Sequence, residues 1–488
     1  MKIWVLNPPF LSKFSRSQRS PAVTKSGTLY FPIWLAFTTG VLEQAGHEVT
    51  LTDAPARGLT DADVLDMGGR IRPELIVMDT STPSIQNDIR IASALKERLP
   101  KTIIVLVGTH VSALPEETLA ISEAVDAVAR REYEYTLRDL AEVLEKNPGI
   151  GNEVFSGIDG LSYRKDGTVV HNQDRPFIKN LDELPWVSRV YSKHLQISDY
   201  FNPNALYPMV TLITSRGCPF LCRFCVYPQT MTGRKYRLRS VEDVIEEIRF
   251  VQRTFPEVKS IFFEDDTLTV NKSRLIAFSE ALIKSNVRIP FVANSRIDLD
   301  LETMKVLKAA GCRQLCVGFE SGNQEILNEI RKGIKIERME AFMENARKAG
   351  ILIHGCFMIG FPGETHQTVE QTIALALRLN PDTVQFYPVM VYPGTEAYLD
   401  YLSKGWITAA DFREWLTPSG LHNCVIRNDV FAPAELVKLC DEARRRFYLR
   451  PRYMAYKLVQ MVLHPSLALR TVKAARTFFK HLVFGSGV

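Results

Sequence analysis

Short apolar runs alternate with helix-period segments through the first 150 residues, the sequence sign of a parallel sheet wrapped by helices. Strands are predicted at 2–6, 48–53, 75–78, 103–108 and 125–129. Most run into turn-forming or hydroxyl-rich segments: Asn7-Pro8-Pro9, Asp53-Ala54-Pro55, Thr80-Ser81-Thr82-Pro83 and Gly108-Thr109-His110. In an open α/β sheet such loops collect at the carboxyl ends of the strands, where ligands bind. Residues 1–150 therefore read as a Rossmann-like, flavodoxin-like binding domain. They hold no Gly-x-Gly-x-x-Gly and no Walker loop, which disfavours dinucleotides and nucleotide phosphates. Residues 151–205 read as a connector with a hairpin at 160–172 around Asp166-Gly167. A second alternation begins at Val210, with strands predicted at 210–214, 260–264, 290–294, 314–319, 353–359 and 383–388. Six strand-helix units predict a partial TIM-type (β/α)6 barrel over 206–400, whose working residues sit at strand C-termini. Residues 401–488 read as mostly helical.

Composition adds limits. At 488 residues and 46% hydrophobic content the chain is too long for one ordinary core and too apolar for disorder. The apolar stretch at 29–41 is too short to cross a bilayer, which takes roughly 20 residues, and no signal peptide is expected. Eight cysteines, none before Cys218, do not make a disulfide framework and point to a reducing cytosol. The net charge of +5 is uneven. Residues 443–488 hold ten Arg or Lys and no Asp or Glu, which leaves about −5 on the rest (+5 minus +10). That basic tail, interleaved with aromatic residues, fits either a helical cap on the barrel or peripheral contact with an anionic membrane. Nucleic acid is not expected, since no matching basic patch occurs elsewhere.

The first barrel strand runs directly into Cys218-Pro-Phe-Leu-Cys222-Arg-Phe-Cys225. Soft thiolates favour iron-sulfur clusters or zinc. Three thiols without a fourth Cys, His or Asp in the loop leave a metal centre with an open coordination site. A cubane cluster with one iron free for a chelating substrate is the natural reading; a zinc ion completed from a distant residue and three plain buried thiols are the alternatives. Cys312 and Cys316 fall in one predicted strand and are expected to pack in the core, and no second cluster motif is present.

At these residues the chain resembles the radical S-adenosylmethionine (SAM) superfamily, whose hallmark is Cys-x3-Cys-x-aromatic-Cys on a partial barrel. The resemblance implies a 4Fe-4S cluster on Cys218, Cys222 and Cys225, with SAM chelated to the unique iron and cleaved to a 5'-deoxyadenosyl radical. It extends over about 206–400 and implies SAM contacts at Tyr227 after the third Cys, Glu264 in FFEDDTLTVN, Arg296 in ANSRID, Glu320 and Ser321 in VGFESG, and Ile359 and Gly360 in GCFMIGFPGE. Helix capping for Asp266, a surface salt bridge for Arg296 and simple turns for Gly360 and Gly363 are the plainer readings.

The first domain resembles that of the cobalamin-binding class of this superfamily, which includes phosphinate methylases and the anaerobic cyclase of bacteriochlorophyll synthesis. Thr80, Ser81 and Thr82, the Gly108-Thr-His110 segment, and Glu132 in ARREYEYT match its motifs and imply cobalamin contacts. Asp-x-His-x-x-Gly is absent, so no lower axial histidine is expected; His110 reads more simply as a hydrogen-bonding loop residue. The resemblance implies a cobalamin-dependent radical methyltransferase acting on an unactivated carbon of a small molecule, lipid or lipid-linked substrate. An external electron donor such as flavodoxin or ferredoxin is implied with it. The place of action implied is the cytoplasm, with peripheral contact at the inner face of the membrane. A cobalamin-dependent oxidative cyclase or carbon-carbon coupling enzyme is the enzymatic alternative, and a SAM-binding membrane scaffold the non-enzymatic one.

Overall fold

The computed structural model describes residues 1–24, 26–147 and 152–463. The first sheet contains β1 (Lys2–Asn7), β2 (Glu48–Asp53), β3 (Leu75–Asp79), β4 (Ile103–Val107) and β5 (Ala127–Ala129), followed by β6 (Leu161–Lys165) and β7 (Thr168–His171). Its order is β2-β1-β3-β4-β5-β6-β7. The first five strands are parallel, in the flavodoxin-like order with a switch point between β1 and β3. The central strands β3 and β4 are almost wholly apolar because helices cover both faces. Trp4, Leu6, Ile76 and Met78 enter one core, while Ile3, Val5, Leu75 and Val77 enter the other, which is continuous with the barrel.

The predicted hairpin forms, but β6 pairs antiparallel with β5 and extends this sheet. Antiparallel edges of this kind need only a tight turn, so a segment read as a connector becomes structural. The apolar stretch at 29–41 is largely the helix Ile33–Gln44, buried over Ile33 to Leu42. Among the described residues no helix is long and apolar enough to cross a membrane.

The second sheet begins at β8 (Met209–Leu212). A short ribbon of β9 (Ser215–Arg216) and β10 (Arg237–Leu238) brackets the cysteine loop. The remaining strands are β11 (Ser260–Phe263), β12 (Phe291–Ser295), β13 (Cys312–Glu320), β14 (Leu352–Ile359) and β15 (Thr383–Pro388). All six long strands are parallel and follow chain order from β8 to β15. Side-chain caps start the helices between them at Ser240, Asn271, Asp300, Asn323 and Thr365.

The outer edge of β15 is covered by the helix Pro433–Tyr448. Its Tyr448 hydroxyl accepts from Val384 N at 2.8 Å and donates to Val384 O at 2.7 Å. Helix continues at Pro451–Leu463, and the part of the basic tail at 464–488 lies outside the described residues. Residues 404–432 are less helical than expected, with one 3-10 turn at Phe412–Trp415. Gly405, Pro418 and Gly420 interrupt any longer helical period there. This stretch returns to the first domain, where Phe412 packs edge-on to His110 and Gln86 donates to Asp411 at 2.6 Å.

Candidate cofactor cleft

The cysteine loop is held from both sides by carboxylates that end β11. Asp265, fully buried, accepts from Thr214 N at 3.0 Å and from the Thr214 and Ser215 hydroxyls. Asp266 accepts from Gly217 N at 3.2 Å and from the Thr232 hydroxyl at 2.8 Å, so it ties the loop down, and Asn271 caps the next helix instead. Gly217 immediately precedes Cys218 with φ 85°, and a Cβ there would lie 2.2 Å from Lys235 O. Only glycine fits that approach.

The thiols of Cys218, Cys222 and Cys225 are free of disulfides. Burial raises the pKa of the Cys218 and Cys225 thiols, and the neighbouring Cys222 adds to the effect on Cys225. Among the described residues no three His, Cys, Asp or Glu side chains converge around a point suited to one metal ion. A cubane cluster takes each thiolate on a different iron, so three spread thiols with nothing beside them in the loop fit it.

The cleft above the loop contains two carboxylates with one oxygen each left over. Glu320 ends β13 at φ 65°, a left-handed conformation rare for a residue with a side chain. Its Oε1 accepts from Lys332 Nζ at 2.7 Å, whereas the buried Oε2 has no hydrogen-bond partner. A Cβ at Gly318 would lie 2.1 Å from Glu320 Oε1, so glycine makes room for this pair. Burial disfavours the Lys332 ammonium, yet Glu320 and Cys222 hold its pKa above the ordinary lysine value. Glu264, on the far side, pairs through Oε1 with Arg19 and leaves Oε2 buried and unpartnered. Burial opposes the Arg19 charge as well, and Glu264 and Asp266 more than offset it. A leftover acceptor on each side suits the amine and hydroxyls of SAM.

The other expected SAM residues are all buried. Tyr227 places its ring under the Arg19 guanidinium, edge-on to Trp34, and donates to Ser17 O at 2.6 Å. Arg296 stacks over Phe220 of the cysteine loop at 3.6 Å and donates to Lys332 O at 2.7 Å; its guanidinium is buried, and it also forms a salt bridge of 3.3 Å to the exposed Asp298. Ile359 and Gly360 end β14, and the Gly360 turn is fixed by Glu364 and by Tyr401, whose hydroxyl donates to Gly360 O at 2.7 Å. Ser321 is fully buried and accepts from Asn323 N at 3.2 Å, which places its hydroxyl in a helix start.

Sequence reasoning missed Arg19 and Lys332. Neither belongs to a motif, and both matter only through partners distant in sequence.

The hydroxyl residues of the first-domain loops are buried. Thr80 donates to Val107 O at 2.7 Å, Ser81 bonds the Ser84 hydroxyl at 2.7 Å, and Thr82 lies 3.2 Å from His110 Nδ1. Burial pushes the His110 pKa down to about 3, so the imidazole is neutral. A Cβ at Gly108 would lie 2.4 Å from Thr80 O, which brings these two loops into direct contact. The buried Tyr133 hydroxyl has no partner. This neutral, hydroxyl-rich set fits the uncharged amides that fringe a corrin ring.

Glu132 does not join them. Both its oxygens accept from Arg237, at 2.7 and 2.8 Å, and Oε2 also accepts from Ile178 N. With Glu134 it flanks Arg216, whose side chain is 0% exposed and lies over Trp34 and Phe37. The motif that contains Glu132 therefore locks the two domains together through buried charge.

Asp79, beneath Thr80, has a pKa pushed up to about 7 by burial. Between about pH 4 and about pH 7 the folded chain thus holds a proton that the unfolded chain releases, and stability falls as pH rises through that window. Asp79→Asn should remove this fall and stabilise the protein at about pH 8 by roughly 2–4 kcal/mol, read from urea midpoints at about pH 5 and about pH 8. An unchanged difference between the two pH values would show Asp79 to be ionised in the folded state.

The two loop systems meet. The helix Val226–Thr230 that follows Cys225 lies against the helix Thr109–Ala113 that follows β4, with the Ser112 hydroxyl 3.9 Å from Met231 Sδ.

Comparison with known proteins agrees with this arrangement. The radical SAM superfamily model matches residues 212–376, and the B12 binding domain model matches residues 19–141. An uncharacterized methyltransferase of Pyrococcus horikoshii is 32% identical over 455 residues, covering 93% of this chain and 94% of that protein. The anaerobic magnesium-protoporphyrin IX monomethyl ester cyclase of Rubrivivax gelatinosus is 25% identical over 434 residues, covering 87% and 75%. Among solved structures, the radical SAM methyltransferase TsrM of Kitasatospora setae, with cobalamin and a [4Fe-4S] cluster bound, superposes with a TM-score of 0.69. It is 16% identical and covers 91% of this chain and 88% of that one, a likeness of fold. From the three thiols, the paired domains and these relatives together, the chain belongs to the radical SAM enzymes that join a B12-binding domain to a 4Fe-4S barrel.

Proposed function

We propose that this enzyme is a cobalamin-dependent radical SAM methyltransferase acting on an unactivated carbon. One observation carries the reading: the segment after Cys225 packs directly on the segment after β4, so the cysteine loop and the hydroxyl loops border one cleft. When bound, the cluster with SAM supplies the hydrogen-abstracting radical, and cobalamin supplies the methyl group. Cys218, Cys222 and Cys225 hold the cluster; Glu320, Glu264 and Arg296 orient SAM; Thr80, Ser81, Thr82, Gly108 and His110 bed the corrin. Tyr227, Ser321, Ile359 and Gly360 complete the SAM walls. The name of the Pyrococcus relative supports methyl transfer, and that of the cyclase supports oxidative cyclisation as the second reading.

The test is product analysis of anaerobically reconstituted protein given SAM and a chemical reductant. Methyl transfer predicts both S-adenosylhomocysteine and 5'-deoxyadenosine. 5'-Deoxyadenosine alone supports cyclisation or coupling, and neither product from cluster-loaded protein supports a scaffold. Glu320→Gln should weaken SAM binding about tenfold or more while iron loading persists, measured by equilibrium dialysis. Unchanged affinity would remove Glu320 from the SAM site.

A low-potential electron donor of flavodoxin or ferredoxin type would serve this chemistry in the cytoplasm. The tail supports a lipid or lipid-linked substrate: helix Pro451–Leu463 exposes Met454, Leu458 and Val459 beside basic residues. Removal of residues 449–488 should then lower binding to anionic vesicles several-fold in a sedimentation assay. Equal binding by the shortened chain would end the membrane proposal.

A further inference from the structure

TIM-type barrels are ordinarily filled by bulky branched side chains. Here the aromatic layer lies on the other face of the strands. Phe319, Phe357 and Phe386 stack in succession with centroids 5.5 and 5.2 Å apart, and Phe319 meets Phe342 on the surrounding helix Ile336–Ala349. The alternate positions, which face the lumen, carry Asn294, Cys316, His354, Cys356, Gln385 and Tyr387. Register joins them across four strands, Asn294 beside Cys316, Cys316 beside His354, and Cys356 beside Gln385. Five of the six are half-buried and Gln385 is exposed, although all lie within the sheet. Cys312 is buried as expected, and Cys316 packs against the same core while remaining half-buried. The lumen is a solvent-reaching chamber.

Its chemistry is polar without net charge. His354 hydrogen-bonds the Thr383 hydroxyl at 2.8 Å, and burial lowers its pKa to about 4, so it is neutral. Burial raises both thiols, Cys356 to about 12, so they too are neutral. The charges above the lumen are matched, Glu264 with Arg19 and Glu320 with Lys332; below, Arg313 donates to the neutral acceptors Asn204 O and Gln314 Oε1, with Asp382 acting on its charge. Tyr30, in the segment between β1 and the helix Ile33–Gln44, packs edge-on to Phe262 and adds a phenol close to Cys316 and Tyr387. An anionic group entering this space would be desolvated, and the cations above it, Arg19 and Lys332, are already paired with carboxylates.

We propose that the part of the substrate that reacts is an uncharged group bearing hydroxyls or amides, received in the lumen by Tyr387, Gln385, His354 and Asn294. This rests on the radical reading above and adds to it the class of substrate: a carboxylate or phosphate is excluded from the reacting end, which meets a wall of neutral polar side chains. Substrate charge, where present, belongs outside the barrel.

The two lumen thiols report on the chamber without knowledge of the substrate. Cluster-loaded protein is treated with methanethiosulfonates carrying hydroxyethyl, sulfonatoethyl or trimethylammonioethyl groups, and modified peptides are quantified by mass spectrometry. Cys316 and Cys356 should take the hydroxyethyl reagent at least about tenfold faster than the sulfonate, while buried Cys312, Cys424 and Cys440 stay unmodified. Gln385→Glu should turn the preference toward the cationic reagent. Equal rates with neutral and anionic reagents, or no labelling of either lumen thiol, would overturn the proposal. Failure of methyl transfer in the product assay would remove the functional reading and leave this labelling pattern untouched.

Discussion

Replacement of Cys218, Cys222 or Cys225 by Ala, one at a time, should abolish SAM cleavage and lower iron loading, with the fold retained. In the proposed site each thiolate would bind a separate iron, so two remaining ligands would not hold the cluster against loss to solvent. The loop itself does not depend on the thiols for its shape. Asp265 and Asp266 anchor it, and Cys218 N donates to Gly233 O at 3.1 Å. Far-ultraviolet circular dichroism should therefore stay that of the parent while the iron-sulfur absorption and 5'-deoxyadenosine disappear together. Normal turnover by any one of the three variants would remove that cysteine from the cluster.

The second large effect is on stability. Arg216→Ala should destabilise the chain by about 3–5 kcal/mol, the usual result of removing one partner from a buried ion pair. Arg216 Nη2 lies 2.7 Å from Glu134 Oε1 and Nη1 lies 3.4 Å from Glu132 Oε1, with all three side chains no more than 2% exposed. Arg237 still serves Glu132 in the variant, whereas Glu134 is left uncompensated. Arg216→Ala combined with Glu134→Gln should regain part of the loss. Because the network joins the B12-binding domain to the barrel, calorimetry of the single variant should show the two domains melting apart. A midpoint equal to that of the parent would mean that water or another cation replaces the guanidinium.

The sheets were legible in the sequence because parallel strands buried on both faces read as unbroken apolar runs, such as Ile103–Val107. The proposed cluster site was legible because its three cysteines fall within eight residues of one another, and a loop closed so locally needs no knowledge of the fold. Arg19, Arg216 and Lys332 were not legible. Arg19 meets Glu264 across 245 positions, and no periodicity signals such a pair. The partner of Glu132 was hidden for the same reason, since the motif that contains it gives no sign of Arg237, 105 positions away, which takes both its oxygens. The hairpin at Leu161–His171 was visible as a turn, but its place at the edge of the first sheet depends on pairing with β5. The lumen of the barrel escaped notice because alternation identifies the two faces of a strand without saying which is filled.

The central claim is that one cleft serves two metal cofactors, and metal content tests it most directly. Protein purified without oxygen from cells supplied with cobalamin, then measured for iron and cobalt, should contain about four iron atoms and about one cobalt atom per chain. Its spectrum should show both corrinoid and iron-sulfur absorption. A full complement of iron with no cobalt, under conditions that load cobalamin into a known binder, would contradict the account.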